Sequence, residues 1–192
     1  KIKKNIPQEA GLGGGSMNAA NILNFLLKKK FIKLNQKKVL KISSLIGSDV
    51  ILGIKSNDTI LSSKNTIKNF SKNLKFHTLL VKPHFGCSTK KVYSGVKKFT
   101  KPRFNIPKKN MFSLRFLLKQ ENALEKITFL KHPKLKTIKL FLESLNKPLF
   151  VRMTGSGSVL VAYYQKKQDC DLAKVQFKRK FKNYWCITSK TI

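Results

Sequence analysis

Apolar positions recur at helical spacing through residues 16–27, and again through residues 37–45, where Gly47 breaks the pattern. Both stretches are predicted helices. Two short apolar runs follow, residues 50–54 and 59–61, around Ser56, Asn57 and Asp58. They read as a strand pair joined by a turn. Residues 62–75 are polar and basic, which places a boundary between two halves, 1–75 and 76–192. Residues 77–82 read as a strand ended by Pro83, and residues 89–96 as a short helix. The segment 99–109 holds Pro102 and Pro107 and reads as loop. Residues 133–145 are helical, with Pro133 in the first turn, where its missing N–H does no harm. Strands are predicted at 149–153 and 159–164, flanking Gly155-Ser156-Gly157; a helix at 169–181 and a last strand at 184–188 complete the pattern. Helices and strands alternate without a regular repeat, so the fold class is α+β in two layered halves.

A hydrophobic share of 41% over 192 residues suits a globular chain with real cores. The formal net charge is +33, from 41 Lys plus Arg against 8 acids. Such a balance ordinarily points to nucleic acid. Here the positive charge is nearly all Lys and runs through every segment, and Arg stands only at Arg103, Arg115, Arg152 and Arg179. Arg is the favoured reader of bases and phosphates. The expectation is therefore a solvated, lysine-rich surface with no specific nucleic-acid partner. Its field would favour anionic substrates such as nucleoside phosphates. Cys87, Cys170 and Cys186 are odd in number and at unrelated spacings, which argues against a disulfide framework and fits a reducing cytoplasm. His84 and Cys87 lack the second pair that a tetrahedral zinc site needs. No apolar run is long enough to span a membrane. Oligomeric state is not legible.

The chemistry concentrates in Asn5 to Ala20, where Gly11-Leu12-Gly13-Gly14-Gly15-Ser16 runs into the first predicted helix. Glycines let a ligand come close to the backbone amides, and a helix start presents unpaired N–H groups that suit phosphate. The loop is not a P-loop, because Gly15 is followed by Ser16 and Met17 and no Lys reaches the outer phosphates. Nor is it a dinucleotide fingerprint: Ser16 stands where the third glycine belongs, and no acid follows at the required distance.

The order Pro7-x-x-Ala10-Gly11-Leu12-Gly13-Gly14-Gly15-Ser16-x-Asn18-Ala19-Ala20 resembles the phosphate loop of the GHMP kinases. The resemblance continues in order along nearly the whole chain. Gly47-Ser48-Asp49-Val50 is similar to the segment that carries the family's catalytic aspartate. Pro83 with Ser88-Thr89 and Tyr93, then Asn122-Ala123-Leu124-Glu125, then Met153-Thr154-Gly155-Ser156-Gly157, resemble later segments of the branch that acts on a cytidine diphosphate-linked methylerythritol. The resemblance implies a GHMP kinase fold, with a ribosomal S5-type N-terminal domain and a ferredoxin-like C-terminal domain. It also implies transfer of the ATP γ-phosphoryl group to the 2-hydroxyl of that small-molecule alcohol, on the non-mevalonate route to isoprenoid precursors.

By the same resemblance, Pro7, Ala10, Gly11, Leu12, Gly13, Gly14, Gly15 and Ser16 hold ATP, and Ser16 contacts phosphate or Mg²⁺. Asp49 orients or deprotonates the acceptor hydroxyl. Thr89 and Tyr93 hold the cytidyl end, with Tyr93 as one face of a cytosine sandwich, and Gly155, Ser156 and Gly157 line the cleft. Two positions depart from the family: Met17 replaces a serine, and Ile51 replaces a proline. A thioether is a poor partner for a hard cation. In the family, strands bearing a lysine and further cytosine contacts precede the loop. None stands in these 192 residues, so the chain alone is expected to be inactive. Two other readings stay open. One is a GHMP kinase of the homoserine or mevalonate type, against which the triple glycine, Asn18 and the run to Tyr93 weigh. The other is a basic, non-enzymatic nucleic-acid binder, which needs charge on one face and exposed aromatics.

Overall fold

The computed structural model describes residues 5–55, 57–63, 66–71, 74–99, 101–102 and 104–191. Two compact units emerge. One is Gly13–Lys72 with Pro102–Lys108; the other is Lys1–Leu12, Asn73–Lys101 and Lys109–Ile192. The first twelve residues thus belong with the later part of the chain, and Pro102–Lys108 with the earlier part.

The unit of Gly13–Lys72 opens with α1 (Gly14–Lys28), which turns Ala20 and Leu23 inward. In α2 (Gln36–Ile46), Asn35 caps the helix start by accepting the Lys38 N–H at 2.9 Å. After Gly47 the chain forms a 3₁₀ turn at Val50–Gly53, not the predicted strand. Val50 and Ile51 are adjacent and both buried. Adjacent buried side chains do not suit an alternating strand. Gly53 lies so close to α1 that a Cβ there would stand 2.7 Å from the Ala20 Cβ. The partner of β1 (Asp58–Leu61) is instead β2 (Ile67–Phe70), inside the stretch read as a polar boundary. Lys68 and Asn69 obscured that strand. It forms because a half-buried two-stranded ribbon tolerates polar side chains, and because the Thr59 hydroxyl donates to Asn69 Oδ1 at 2.9 Å. Ser56 of the predicted turn lies outside the described residues.

The other unit carries β3 (His77–Lys82), α3 (Thr89–Tyr93), α4 (Leu114–Leu118), α5 (Glu125–Lys131), α6 (Pro133–Ser144), β4 (Phe150–Met153), β5 (Leu160–Tyr164), α7 (Lys167–Lys180) and β6 (Trp185–Lys190). The strands form one antiparallel sheet in the order β4-β5-β3-β6. A strand, helices, a hairpin, a helix and a strand in that order make the ferredoxin-like arrangement that the resemblance implied. Alternation along the strands sends Leu79, Val81, Leu160, Ala162 and Tyr164 towards α6 and α7, where they meet Leu135, Ile138, Leu142 and Phe177. The opposite face presents Leu80, Val161 and Tyr163, and Ala10 and Leu12 pack there. The lead-in to the glycine loop is therefore fixed to a sheet face. Helices α4 and α5 span five and seven residues, too short for a helical period to show in the sequence.

Candidate active site

The lead-in is held by its backbone. The Glu9 carbonyl accepts the Cys87 and Ser158 N–H groups, each at 3.2 Å, and the Ala10 carbonyl accepts the Val159 N–H at 3.1 Å. The Thr154 hydroxyl donates to the Gly11 carbonyl at 3.0 Å. Gly11 has φ 69° and Gly155 φ 52°. A Cβ on Gly11 would collide with the Thr154 carbonyl, and one on Gly155 would stand 2.8 Å from the Gly11 oxygen. Two strands of backbone meet here at a distance only glycine allows. Pro7 is half-buried just ahead of this contact.

From Gly13 the loop becomes α1. Gly13 is left-handed (φ 62°, ψ 22°), and no side chain caps the helix start. The amides of a first turn have no intrahelical partner. Nothing lies within 4 Å of where a Cβ on Gly13 or Gly15 would stand. An open space bordered by helix-start amides fits an anion of phosphate size. Ser16, in the first turn, lies 4.0 Å by its hydroxyl from where a Gly47 Cβ would be. That contact brings the Gly47-Ser48-Asp49 turn to the helix start within the same unit. Met17 has a different task from a metal ligand: its sulfur would lie 2.9 Å from a Cβ on Gly53, so it fills the joint between α1 and the 3₁₀ turn.

Asp49 precedes that turn and is exposed. Its carbonyl accepts the Leu52 N–H at 3.1 Å, and the Ser48 hydroxyl donates to its Oδ1 at 3.4 Å. Asn24 of α1 donates to the Ile54 carbonyl at 3.2 Å, strapping the turn to the helix. Buried Ile51, standing where the family has proline, anchors the turn from below. The carboxylate is left open to a ligand.

In the ferredoxin-like unit, Thr89 opens α3, and its hydroxyl pairs with that of Ser156 at 3.0 Å. Ser156 is 4% exposed, so that hydroxyl faces Thr89 rather than solvent. Gly157 is buried; a Cβ on it would lie 2.8 Å from the Met153 sulfur. Val92 is buried and turns Tyr93 outward, 55% exposed, with its ring available for stacking. Burial pushes the Cys87 thiol up to about 11, against the opposing pull of Lys82. Lys82 is itself buried, and its Nζ donates to the Phe85 carbonyl at 2.9 Å and the Pro83 carbonyl at 3.3 Å. His84 packs edge-on against Tyr184, and no three of His, Cys, Asp and Glu gather as a metal cluster among the described residues. Asn122 and Glu125, to which the sequence assigns no role, both bond to the Met153–Gly155 backbone. The legible signal was an Asn two residues before Leu124, whose N–H it caps.

A glycine loop opening a helix, followed along the chain by a ferredoxin-like unit, is the GHMP kinase fold. The profile of the GHMP kinases N terminal domain matches residues 1–62. Sequence comparison finds 55% identity over 192 residues, all of this chain and 68% of the relative, with 4-diphosphocytidyl-2-C-methyl-D-erythritol kinase of Pelagibacter ubique. The same enzyme of Petrotoga mobilis is 35% identical over 168 residues, 83% of this chain and 65% of the relative. The chain belongs to the 4-diphosphocytidyl-2-C-methyl-D-erythritol kinase family of the GHMP kinases. It spans about two thirds of the length of these relatives. Among solved structures, a 4-(cytidine 5'-diphospho)-2C-methyl-D-erythritol kinase superposes with a TM-score of 0.76 at 23% identity, covering 97% of this chain and 68% of that one. A homoserine kinase from Cytophaga hutchinsonii gives the same TM-score of 0.76 at 13% identity, covering 98% and 68%. Both likenesses show the fold.

Proposed function

We propose that the protein phosphorylates the 2-hydroxyl of 4-diphosphocytidyl-2-C-methyl-D-erythritol with ATP, forming an isoprenoid precursor. One observation carries this reading: the open, uncapped helix start at Gly13–Ser16, with the Asp49 turn held beside it through Gly47 and Ser16. Phosphoryl transfer needs positioning and charge neutralisation more than covalent help. The amides of Gly13 to Ser16 receive the ATP phosphates, while Pro7, Ala10, Gly11 and Leu12 fix the approach of the loop. Asp49 accepts the proton of the acceptor hydroxyl, or holds that hydroxyl in line. The Ser16 hydroxyl would hold a Mg²⁺ ion that accompanies ATP, and that ion would supply neutralisation of phosphate charge. Thr89 and Tyr93 receive the cytidyl group, with Ser156 bracing Thr89 and Gly155 and Gly157 shaping the segment beside it.

We assign the N-terminal GHMP domain to residues 1–75 and the C-terminal domain to 76–192, with the lead-in to the loop docked on the sheet of the latter. We further propose that the reaction takes place in the cytoplasm, a reading that three free, buried thiols support. The lysine-rich surface serves anionic substrates and not a specific nucleic acid. A coupled ADP-release assay with the cytidylated alcohol tests the reading. Release with homoserine in its place would favour the rival GHMP activity.

A further inference from the structure

The segment 153–158 makes contacts in two directions. Through Thr154 it holds the Gly11 carbonyl, and through the Ser158 and Val159 N–H groups it holds Glu9 and Ala10. Through Ser156 it holds Thr89. It therefore touches both the lead-in to the phosphate loop and the residue assigned to the cytidyl end, within one compact unit. A segment with two left-handed glycines, Gly155 and Gly157, does not hold such a shape by itself.

Two side chains restrain it. The Asn122 amide donates to the Met153 carbonyl at 2.9 Å and to the Gly155 carbonyl at 2.7 Å, while its Oδ1 accepts the Leu124 N–H at 2.9 Å. Glu125 accepts the Met153 N–H at 2.6 Å on Oε1 and the Lys139 ammonium at 2.7 Å on Oε2. Both donors of one amide and both oxygens of one carboxylate are engaged. Met153 is gripped through both its backbone N–H and its backbone C=O. Glu125 has 13% of its side chain exposed, so its bonds are little diluted by water.

We propose that Asn122 and Glu125 are positioning residues, which set the shape of residues 153–158 and through it the seats of both substrates. The proposal rests on the reading that the loop of Gly11 to Ser16 takes ATP. Neither residue need touch a substrate. Asp49 makes none of these bonds, so the effect belongs to binding and not to the transfer step.

The variants that separate positioning from local helix capping are Asn122→Asp and Asn122→Ala, made in the protein expressed from its complete gene. Aspartate keeps the acceptor for the Leu124 N–H but loses both donors. Hydrogen–deuterium exchange at the Cys87, Ser158 and Val159 amides, which bond to Glu9 and Ala10, reads the anchoring whatever the activity. Calorimetry with a non-hydrolysable ATP analogue reads the seat. The expectation for Asn122→Asp is exchange faster by roughly tenfold at those amides, and weaker analogue binding by roughly tenfold. Saturating turnover should change by less than about threefold, since the transition-state contacts are untouched. Glu125→Gln, which keeps an acceptor for Met153 and loses the ion pair, should show a smaller shift in the same direction. Unchanged exchange in Asn122→Asp would overturn the proposal, as would faster exchange with unchanged analogue affinity. Failure of the unmodified protein to bind the analogue would instead defeat the ATP reading, while exchange would still decide the anchoring.

Discussion

In the proposed reaction, Asp49 is the residue on which the chemistry turns. It sits on the exposed start of a 3₁₀ turn whose next two side chains, Val50 and Ile51, are buried anchors. That division of labour fixes the backbone and frees the carboxylate. Asp49→Asn should lower turnover by about 10²–10⁴-fold, the range for loss of a general base, with ATP affinity little changed. Near-normal turnover would remove it from the mechanism. Gly15 offers the complementary test at the phosphates. Beyond its chain neighbours and the backbone of its own helix, no atom lies within 4 Å of where its Cβ would stand, so a side chain meets no other part of the free protein. Gly15→Val should leave the circular dichroism spectrum and melting temperature near those of the parent, yet abolish ATP binding by calorimetry. Retained affinity would show that phosphate does not occupy that space.

At the scale of elements, α1 and the 3₁₀ turn act as one piece, because Gly53 lets the turn lie against Met17 and Ala20. Gly53→Val should destabilise this unit by about 1–3 kcal/mol, as overpacking does, measured by urea unfolding. It should also raise the apparent KM for the acceptor by displacing Asp49. The same joint explains what the sequence could and could not disclose. Helices α1, α2, α6 and α7 and strands β3 to β6 were legible, since each is long enough for its own period to show. Residues 50–54 misled because a compact 3₁₀ turn between buried anchors has the apolar content of a strand. β2 was invisible because Lys68 and Asn69 carry no apolar alternation, and its partner is fixed by pairing rather than by burial. The site divided in the same way. Gly11 to Ser16 and Asp49 are proposed from motif order. The bonds from Asn122 and Glu125 to Met153 join residues 28 to 31 apart, a closeness that only the fold creates.

At the scale of the whole molecule, three buried thiols sit in a chain of net charge +33. Burial raises the Cys87 and Cys170 thiols from 9.0 to about 11. A raised folded-state value means that the fold favours the protonated form. This contribution to stability is complete below pH 9 and is lost as pH rises through 9 towards 11. Urea midpoints should therefore fall across that window, and the fall should be shallower in a Cys87→Ala, Cys170→Ala variant; an identical slope would place the pH dependence elsewhere. The family assignment and the site meet in one reaction. The measurement that tests it most directly is ADP release by the protein expressed from its complete gene, with ATP and Mg²⁺, offered in turn 4-diphosphocytidyl-2-C-methyl-D-erythritol, homoserine and mevalonate. Turnover with the cytidylated alcohol alone, lowered by about 10²–10⁴-fold in Asp49→Asn, is the predicted result. No release with that alcohol, or equal release with homoserine, would contradict the account.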